Sequence, residues 1–197
     1  MAATLPSAKP APGLSKAKAR ITPGDSSLAA RLRREIEGDV LFDSFSRGRY
    51  STDASIYQIE PLGVVVPHSE ADVLRALDIA RAEGIPVLPR GGGTSQCGQT
   101  VNEALVIDHS RFLNDVISVD PEARTAWVHP GITLDKLNKQ LKGTGLFFPV
   151  DISTGSRATI GGMAGNNSCG SRSLRYGNMV HNVRAIDAVL ADGSQAR

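Results

Sequence analysis

Gly91, Gly92 and Gly93 stand in a row between Pro89-Arg90 and the polar run Thr94-Ser95-Gln96-Cys97-Gly98-Gln99. Without Cβ atoms the backbone can take positive φ and approach a bound group closely. Successive N–H groups in such a turn form a concave nest that favours anions, phosphate above all. Thr94, Ser95 and Gln99 add side-chain donors, and Arg90 adds a fixed positive charge suited to phosphate or carboxylate. The chemistry on offer is a pyrophosphate cradle; a flexible surface turn is the alternative for a lone glycine triplet. Two familiar nucleotide motifs are excluded. No Lys follows the glycines, as a triphosphate-binding loop requires, and Gly91, Gly93 and Gly98 miss the final spacing of the dinucleotide fingerprint.

A second glycine-rich stretch runs from Pro149 to Gly170. Gly161, Gly162, Gly165 and Gly170 let backbone pack against something flat or large. Asn166, Asn167 and Ser168 crowd donors and acceptors at one place, and Arg172, Arg175, Tyr176 and Gly177 follow. An irregular surface loop is the plain alternative, but it does not explain why Ile160 and Met163 are interleaved with so many polar groups.

The elements that must hold these stretches follow from periodicity. Residues 27–36 read as a helix with Leu28, Leu32 and Ile36 on one face and Ser26 or Ser27 as cap; its cationic outer face is expected to face water. Residues 46–55 are polar and irregular, hence a loop. Gly63-Val64-Val65-Val66 is a buried strand ended by Pro67. A helix begins at Ser69, with Asp72 in a capping-box-like place, Val73, Leu74, Leu77 and Ala80 as its apolar face, and Gly84 as its stop. Ile85–Leu88 is the next strand, the glycine loop follows, and Ala104–Asp108 is a third strand. A right-handed crossover with the first pair parallel is expected. Residues 116–120 and 125–129 then read as an antiparallel hairpin, and Thr133 caps a helix carrying Leu134, Leu137 and Leu141 that Gly143 stops. The change of pattern near residue 112 predicts three regions: a tail and leading helix over 1–44, a βαβ-like subdomain over 45–112, and a second subdomain over 113–197.

Composition narrows the function classes. The chain has 197 residues, 41% of them hydrophobic and 21% charged, as in ordinary globular proteins. With 22 Lys and Arg against 20 acids, net charge gives no argument for nucleic acid as a partner. No apolar run approaches the roughly 18 residues of a transmembrane helix. Residues 1–24 hold Lys9, Lys16, Lys18 and Arg20 without an acid or an apolar core, so a solvated basic tail is expected rather than a secretory signal; a transit peptide is the other reading. Cys97 and Cys169 fit no metal spacing, and two free thiols fit a reducing cytoplasm. His68, His109, His129 and His181 form no recognised ligand set, and no metal site is assigned. His109 and His129, each at a strand end, read as structural or solvent-facing.

The paired stretches Pro89–Gln99 and Ala158–Gly170 resemble the FAD-binding domain of the vanillyl-alcohol-oxidase (PCMH) type. Within that group they are most similar to the FAD-linked D-2-hydroxyacid dehydrogenases acting on D-lactate, glycolate or D-2-hydroxyglutarate. The resemblance covers roughly residues 45–197. It implies an α+β, two-subdomain fold with FAD lying between the subdomains. It implies pyrophosphate binding by Arg90, Gly91, Gly92, Gly93, Thr94 and Ser95, with Gly98 and Gln99 beside them. It implies that Pro149, Asp151, Thr159, Ile160, Gly161, Gly162, Asn166, Asn167, Ser168 and Gly170 line the flavin and its phosphates. Some relatives attach FAD through a His at the place of Thr94, so the Thr implies non-covalent FAD.

The resemblance further implies a complete enzyme that passes the C2 hydride of a small 2-hydroxyacid to the flavin and then delivers electrons to an acceptor, in the cytoplasm or at the periphery of the inner membrane. Ala185–Leu190 reads as a strand and Ala191-Asp192-Gly193-Ser194 as a hairpin turn, with too few residues after it for a returning arm. The expected fold is therefore truncated in its second subdomain. No catalytic acid or base is named within these residues, and two cysteines cannot ligate the iron–sulfur region that some relatives carry. Two alternatives stand beside this reading: a non-catalytic fragment of the flavin fold that cannot retain FAD alone, and a related FAD-dependent reductase like those acting on cell-wall precursors.

Overall fold

The computed structural model describes residues 23–197; the basic tail expected at the start of the chain falls almost wholly outside them. Helix α1 (Ser26–Glu35) opens the described chain, followed by strand β1 (Asp39–Leu41), helix α2 (Ser44–Arg49), strand β2 (Gly63–Val66), helix α3 (Glu70–Glu83), strand β3 (Val87–Arg90) and strand β4 (Leu105–Asp108). The four strands form one sheet in the order β1-β2-β4-β3. β1 is antiparallel to β2, whereas β2 and β3 both run parallel to β4.

The two strands expected to pair, β2 and β3, are thus parallel but not adjacent, because β4 lies between them. The sequence explains the placement. β2 and β4 are buried along their whole length, whereas β3 carries Pro89, which cannot donate to a ladder and belongs at a sheet edge. Alternation sorts the side chains by face. Val65, Leu105 and Ile107 meet Leu28, Ala29 and Leu32 of α1 and Ala76, Ile79 and Ala80 of α3. Val64, Val66 and Val106 pack on the other side with Leu41, Tyr50 and Leu88.

Several boundaries differ from expectation for local reasons. Asp25, not a serine, caps α1, accepting from the N–H groups of Ser27 and Leu28 at 2.9 Å each. The outer face of α1 is paired rather than merely solvated: Glu35 gathers Arg31, Arg34 and Arg75. Asp43 caps α2 where a loop was expected, and Phe42 and Ser46 are buried beside it. Ser69 does cap α3, but Asp72 closes no capping box. Its buried carboxylate instead accepts from the N–H groups of Glu37 and His68, both at 2.9 Å. Leu74 is exposed, and Ala76 and Ile79 take the core positions of α3. Gly84 ends α3 in the left-handed conformation, and the N–H of Ile85 turns back to Ala80, which delays β3 to Val87.

The rest of the chain adds strands β5 (Val116–Asp120) and β6 (Thr125–Val128), which form the expected antiparallel hairpin, and helix α4 (Leu134–Leu141) capped by Thr133. Gly143 does not stop α4; a 3₁₀ turn continues it, and Gly145 ends that turn in the left-handed region. Helices α5 (Ile160–Gly165), α6 (Ser173–Tyr176) and α7 (Met179–Asn182) follow. Ile132, Leu134, Leu137, Leu141, Val150, Ile160, Met163 and Met179 make a separate apolar cluster under them. The last expected strand shrinks to β7 (Ala188–Val189), and it does find a returning arm, β8 (Gln195–Ala196).

Candidate functional site

The loop after β3 and the residue after β4 meet the second glycine-rich stretch around one cleft of about 1250 Å³. Its walls include the carboxyl ends of parallel strands, where ligands commonly bind in α/β sheets. One wall is Arg90, Gly91, Gly92, Gly93, Thr94, Ser95 and Gln99. The facing wall holds Asp151, Thr159, Gly161, Gly162, Asn166, Asn167, Ser168 and Gly170. Three expected residues do not line it. Gly98 lies under the ring of Tyr57, Ile160 is buried in the second apolar cluster, and Pro149 is half-buried beside core Val150.

The apolar–glycine interleaving of the second stretch is the signature of a short helix. Thr159 caps α5, its hydroxyl accepting from Gly162 N–H at 3.3 Å. Ile160 and Met163, three apart, then turn inward, while Gly161, Gly162 and Gly165 line the cleft. Backbone bonds stitch the start of α5 to the segment before α4: Ile160 N–H to Ile132 at 2.8 Å and Gly161 N–H to Pro130 at 2.8 Å.

The two glycine stretches also pack directly on each other. A Cβ at Gly91 would overlap the Thr159 hydroxyl, and one at Gly92 would overlap the Arg157 carbonyl. The walls therefore meet at their base only because both residues lack side chains. Higher up, a polar chain crosses between them. Ser95 donates to Gln99, Gln99 donates to Asn166 Oδ1 at 3.2 Å, and Asn166 donates to Ser168 Oγ at 3.3 Å.

Among the described residues, none of the backbone N–H groups of Gly91 through Gln96 donates to a protein acceptor. Unclaimed consecutive donors, those of Gly91 through Ser95 at the wall of a roomy cleft, are groups that an anionic diphosphate could use. The cleft's size, its two glycine-rich walls and these donors together fit a dinucleotide such as FAD.

Two charged groups that line the cleft also bond within the protein. The Arg90 guanidinium donates to the carbonyls of Tyr50, Thr52 and Thr100, so its charge is engaged within the protein. The Asp151 carboxylate accepts from Ser171 Oγ at 2.7 Å and from Arg172 N–H at 2.9 Å. The Ser171 hydroxyl, and then the Arg172 amide, hold it below the usual carboxylate range.

His109 also lines the cleft, although its strand-end position read as structural or solvent-facing. Burial pushes its imidazole below its ordinary value, so it is neutral at pH 7. The usable signal was its place at the carboxyl end of β4, beside the loop that leaves β3. Next to it, buried Asp108 accepts from Tyr50 Oη at 2.7 Å and from Ser110 N–H at 2.8 Å. Burial, and then the Asp108 charge, push the Tyr50 phenol well above its ordinary range. Among the described residues no group of three or more His, Cys, Asp or Glu side chains could hold a metal ion, and no helix is long and apolar enough to cross a membrane.

This arrangement is that of a flavin-dinucleotide-binding domain. The match to the FAD binding domain family extends over residues 61–197, and the chain belongs to that family. Its relatives include D-2-hydroxyglutarate dehydrogenase of Escherichia coli, 39% identical over 87% of this chain and 18% of that protein. Glycolate oxidase subunit GlcD of Bacillus subtilis is 37% identical over 83% of this chain and 36% of its own length. A probable mitochondrial D-lactate dehydrogenase of Danio rerio is 34% identical over 82% and 33%. The chain is therefore an FAD-binding domain related to D-2-hydroxyacid dehydrogenases, and it spans a minor part of each of these proteins.

Solved structures agree on the fold. An alkyldihydroxyacetonephosphate synthase matches with a TM-score of 0.79 at 24% identity over 95% of this chain and 37% of that one. The Physcomitrella patens BBE-like 1 variant D396N matches with a TM-score of 0.70 at 23% identity over 86% and 37%. The expected α+β FAD-binding fold is the fold of this chain.

Proposed function

We propose that this chain is the FAD-holding portion of an oxidoreductase that oxidises a D-2-hydroxyacid such as D-lactate, glycolate or D-2-hydroxyglutarate. The observation that carries the binding step is the run of unclaimed N–H groups from Gly91 to Ser95, on residues that line one cleft with α5. In this reading that run holds the pyrophosphate, and Thr159, Gly161, Gly162, Asn166 and Ser168 flank the rest of the cofactor. FAD is held non-covalently, with Thr94 contributing a hydroxyl to the loop. When bound, the flavin supplies a two-electron acceptor for the hydroxyacid's C2 hydride, and the electrons pass on to a separate acceptor. The residues of this chain bind, orient and exclude water; the hydroxyacid specificity follows from the names of the relatives.

Two separate apolar clusters, one around the four-stranded sheet and one around α4 and α5, support a division into subdomains near residue 112. The leading helix α1 joins the first of these cores. Exposed, unpaired Cys97 and Cys169 favour a reducing, cytoplasmic setting.

The test is direct titration of the purified chain with FAD, followed by quenching of flavin fluorescence and by a resolved flavin absorption band. NAD and AMP serve as controls. Saturable FAD binding that NAD does not reproduce supports the reading. Absence of FAD binding, both in the 197-residue chain and in a longer form that contains it, overturns it.

A further inference from the structure

Arg90 invites a ligand role, as the cation next to three glycines, but its surroundings define a different one. Nη1 donates to the carbonyls of Tyr50 at 3.2 Å and Thr100 at 2.9 Å, and Nη2 donates to Thr52 at 2.7 Å. The guanidinium carbon stands 5.3 Å from the centre of the Tyr50 ring. The Tyr50 hydroxyl is itself anchored on buried Asp108, at the end of the neighbouring strand.

The loop curls around this group. Gly93 takes φ +63°, and a Cβ there would stand 2.5 Å from Arg90 Nη2. Thr100, at the far end of the loop, accepts from Nη1 through its carbonyl and ties its hydroxyl to Asp53 at 2.9 Å. The guanidinium therefore touches the segment after α2 and both limbs of the loop that it precedes. Its donors point at protein carbonyls, whereas the N–H groups of Gly91 through Gln96 are left unclaimed.

We propose that Arg90 is a positioning residue: its guanidinium is the internal form on which the glycine loop is wound, and it does not itself bind the phosphates. The loop's amide donors carry the anion, and Arg90 fixes the curve that aims them. A planar fork with several donors suits three carbonyls from different directions, and a compact ammonium does not. The proposal rests on the reading that the cleft holds FAD, and one of its two tests is independent of FAD.

The first test is limited digestion of Arg90→Lys and Arg90→Gln by a non-specific protease without FAD, at a temperature where circular dichroism shows both folded. Cleavage between residues 91 and 100 is expected to rise about tenfold in both variants, since about three charge-assisted bonds are lost or distorted. The second test is FAD affinity against ionic strength. Affinity is expected to fall about tenfold to a hundredfold in both variants while the salt dependence keeps the wild-type slope.

Unchanged loop cleavage, near-wild-type affinity in Arg90→Lys, or a flattened salt slope in Arg90→Gln overturns the proposal, because each is the behaviour of a phosphate ligand. If neither the wild-type chain nor a longer form containing it binds FAD, the functional reading fails, while the digestion still decides the role of Arg90. If neither Arg90 variant folds, Gly93→Ala takes their place. It keeps the arginine, displaces its guanidinium, and is expected to show the same two effects.

Discussion

The α-carbon of Gly92 rests against the backbone carbonyl of Arg157, so closely that a Cβ at residue 92 would occupy the space of that oxygen. The contact joins the two halves of the cleft, backbone to backbone. It also changes the reason why the residue must be glycine. A side chain there collides with the opposite wall before it meets any ligand.

Gly92→Ala is therefore expected to destabilise the chain by about 1–3 kcal/mol, and Gly92→Val by more, as forced overpacking does. Thermal unfolding monitored by circular dichroism without FAD checks this. A variant that unfolds at the wild-type temperature and loses only FAD binding would refute this and place the clash with the ligand instead.

Gln99→Ala separates binding from stability. The Gln99 side chain is exposed and bridges to Asn166 at 3.2 Å. Its loss is expected to leave the unfolding midpoint unchanged, since exposed sites usually stay within about 0.5 kcal/mol. FAD dissociation, followed by stopped-flow dilution, is expected to quicken about three- to tenfold as the clasp across the cleft is lost.

His109 gives the chain a pH signature. Burial lowers its folded pKa below the ordinary 6.5, against an opposing pull from Asp108. As pH falls below about 7, the unfolded chain takes up this proton before the folded chain does, so stability drops through that window. The deficit is complete once pH lies below the folded value. Wild type is expected to lose more stability than His109→Asn between pH 7.5 and 5, and equal losses in chemical denaturation at the two pH values would refute it.

Asp72→Ala removes the acceptor for two N–H groups, those of Glu37 and His68, at a buried position. The expected cost is about 1–3 kcal/mol, with a smaller loss for Asp72→Asn, which keeps one acceptor oxygen. Urea denaturation compares the two. Equal stability of Asp72→Ala and wild type would show that water replaces the carboxylate.

What could be read in the sequence was whatever depends on local pattern. Val64–Val66, the face of α4 and the hairpin around Pro121–Arg124 follow from periodicity and turn chemistry, and the structure has them. The pairing of β2 with β4 was not legible, because strand order depends on which strand is buried on both faces. Pro89, unable to donate in a ladder, is the one local mark of the edge position of β3. At the site, the glycines pointed to the cleft, whereas the three glycines within Ile160–Gly165, poor helix formers, masked the three-residue spacing of Ile160 and Met163 in a helix of six residues. The fate of the Arg90 charge was illegible for a different reason. Its acceptors are main-chain oxygens of Tyr50, Thr52 and Thr100, and an oxygen common to every residue leaves no mark in the sequence.

The strand order has a consequence for how the chain comes off the ribosome. β3 borders only β4, which lies fifteen residues further along, from Leu105. Until Asp108 has emerged, β2 lacks its parallel neighbour and β3 has no neighbour at all. The glycine loop is made in that interval, so the sheet holds both ends of the loop only after the strand that follows it inserts. Closure of the sheet and anchoring of the loop's two ends are thereby one event, timed by the arrival of β4.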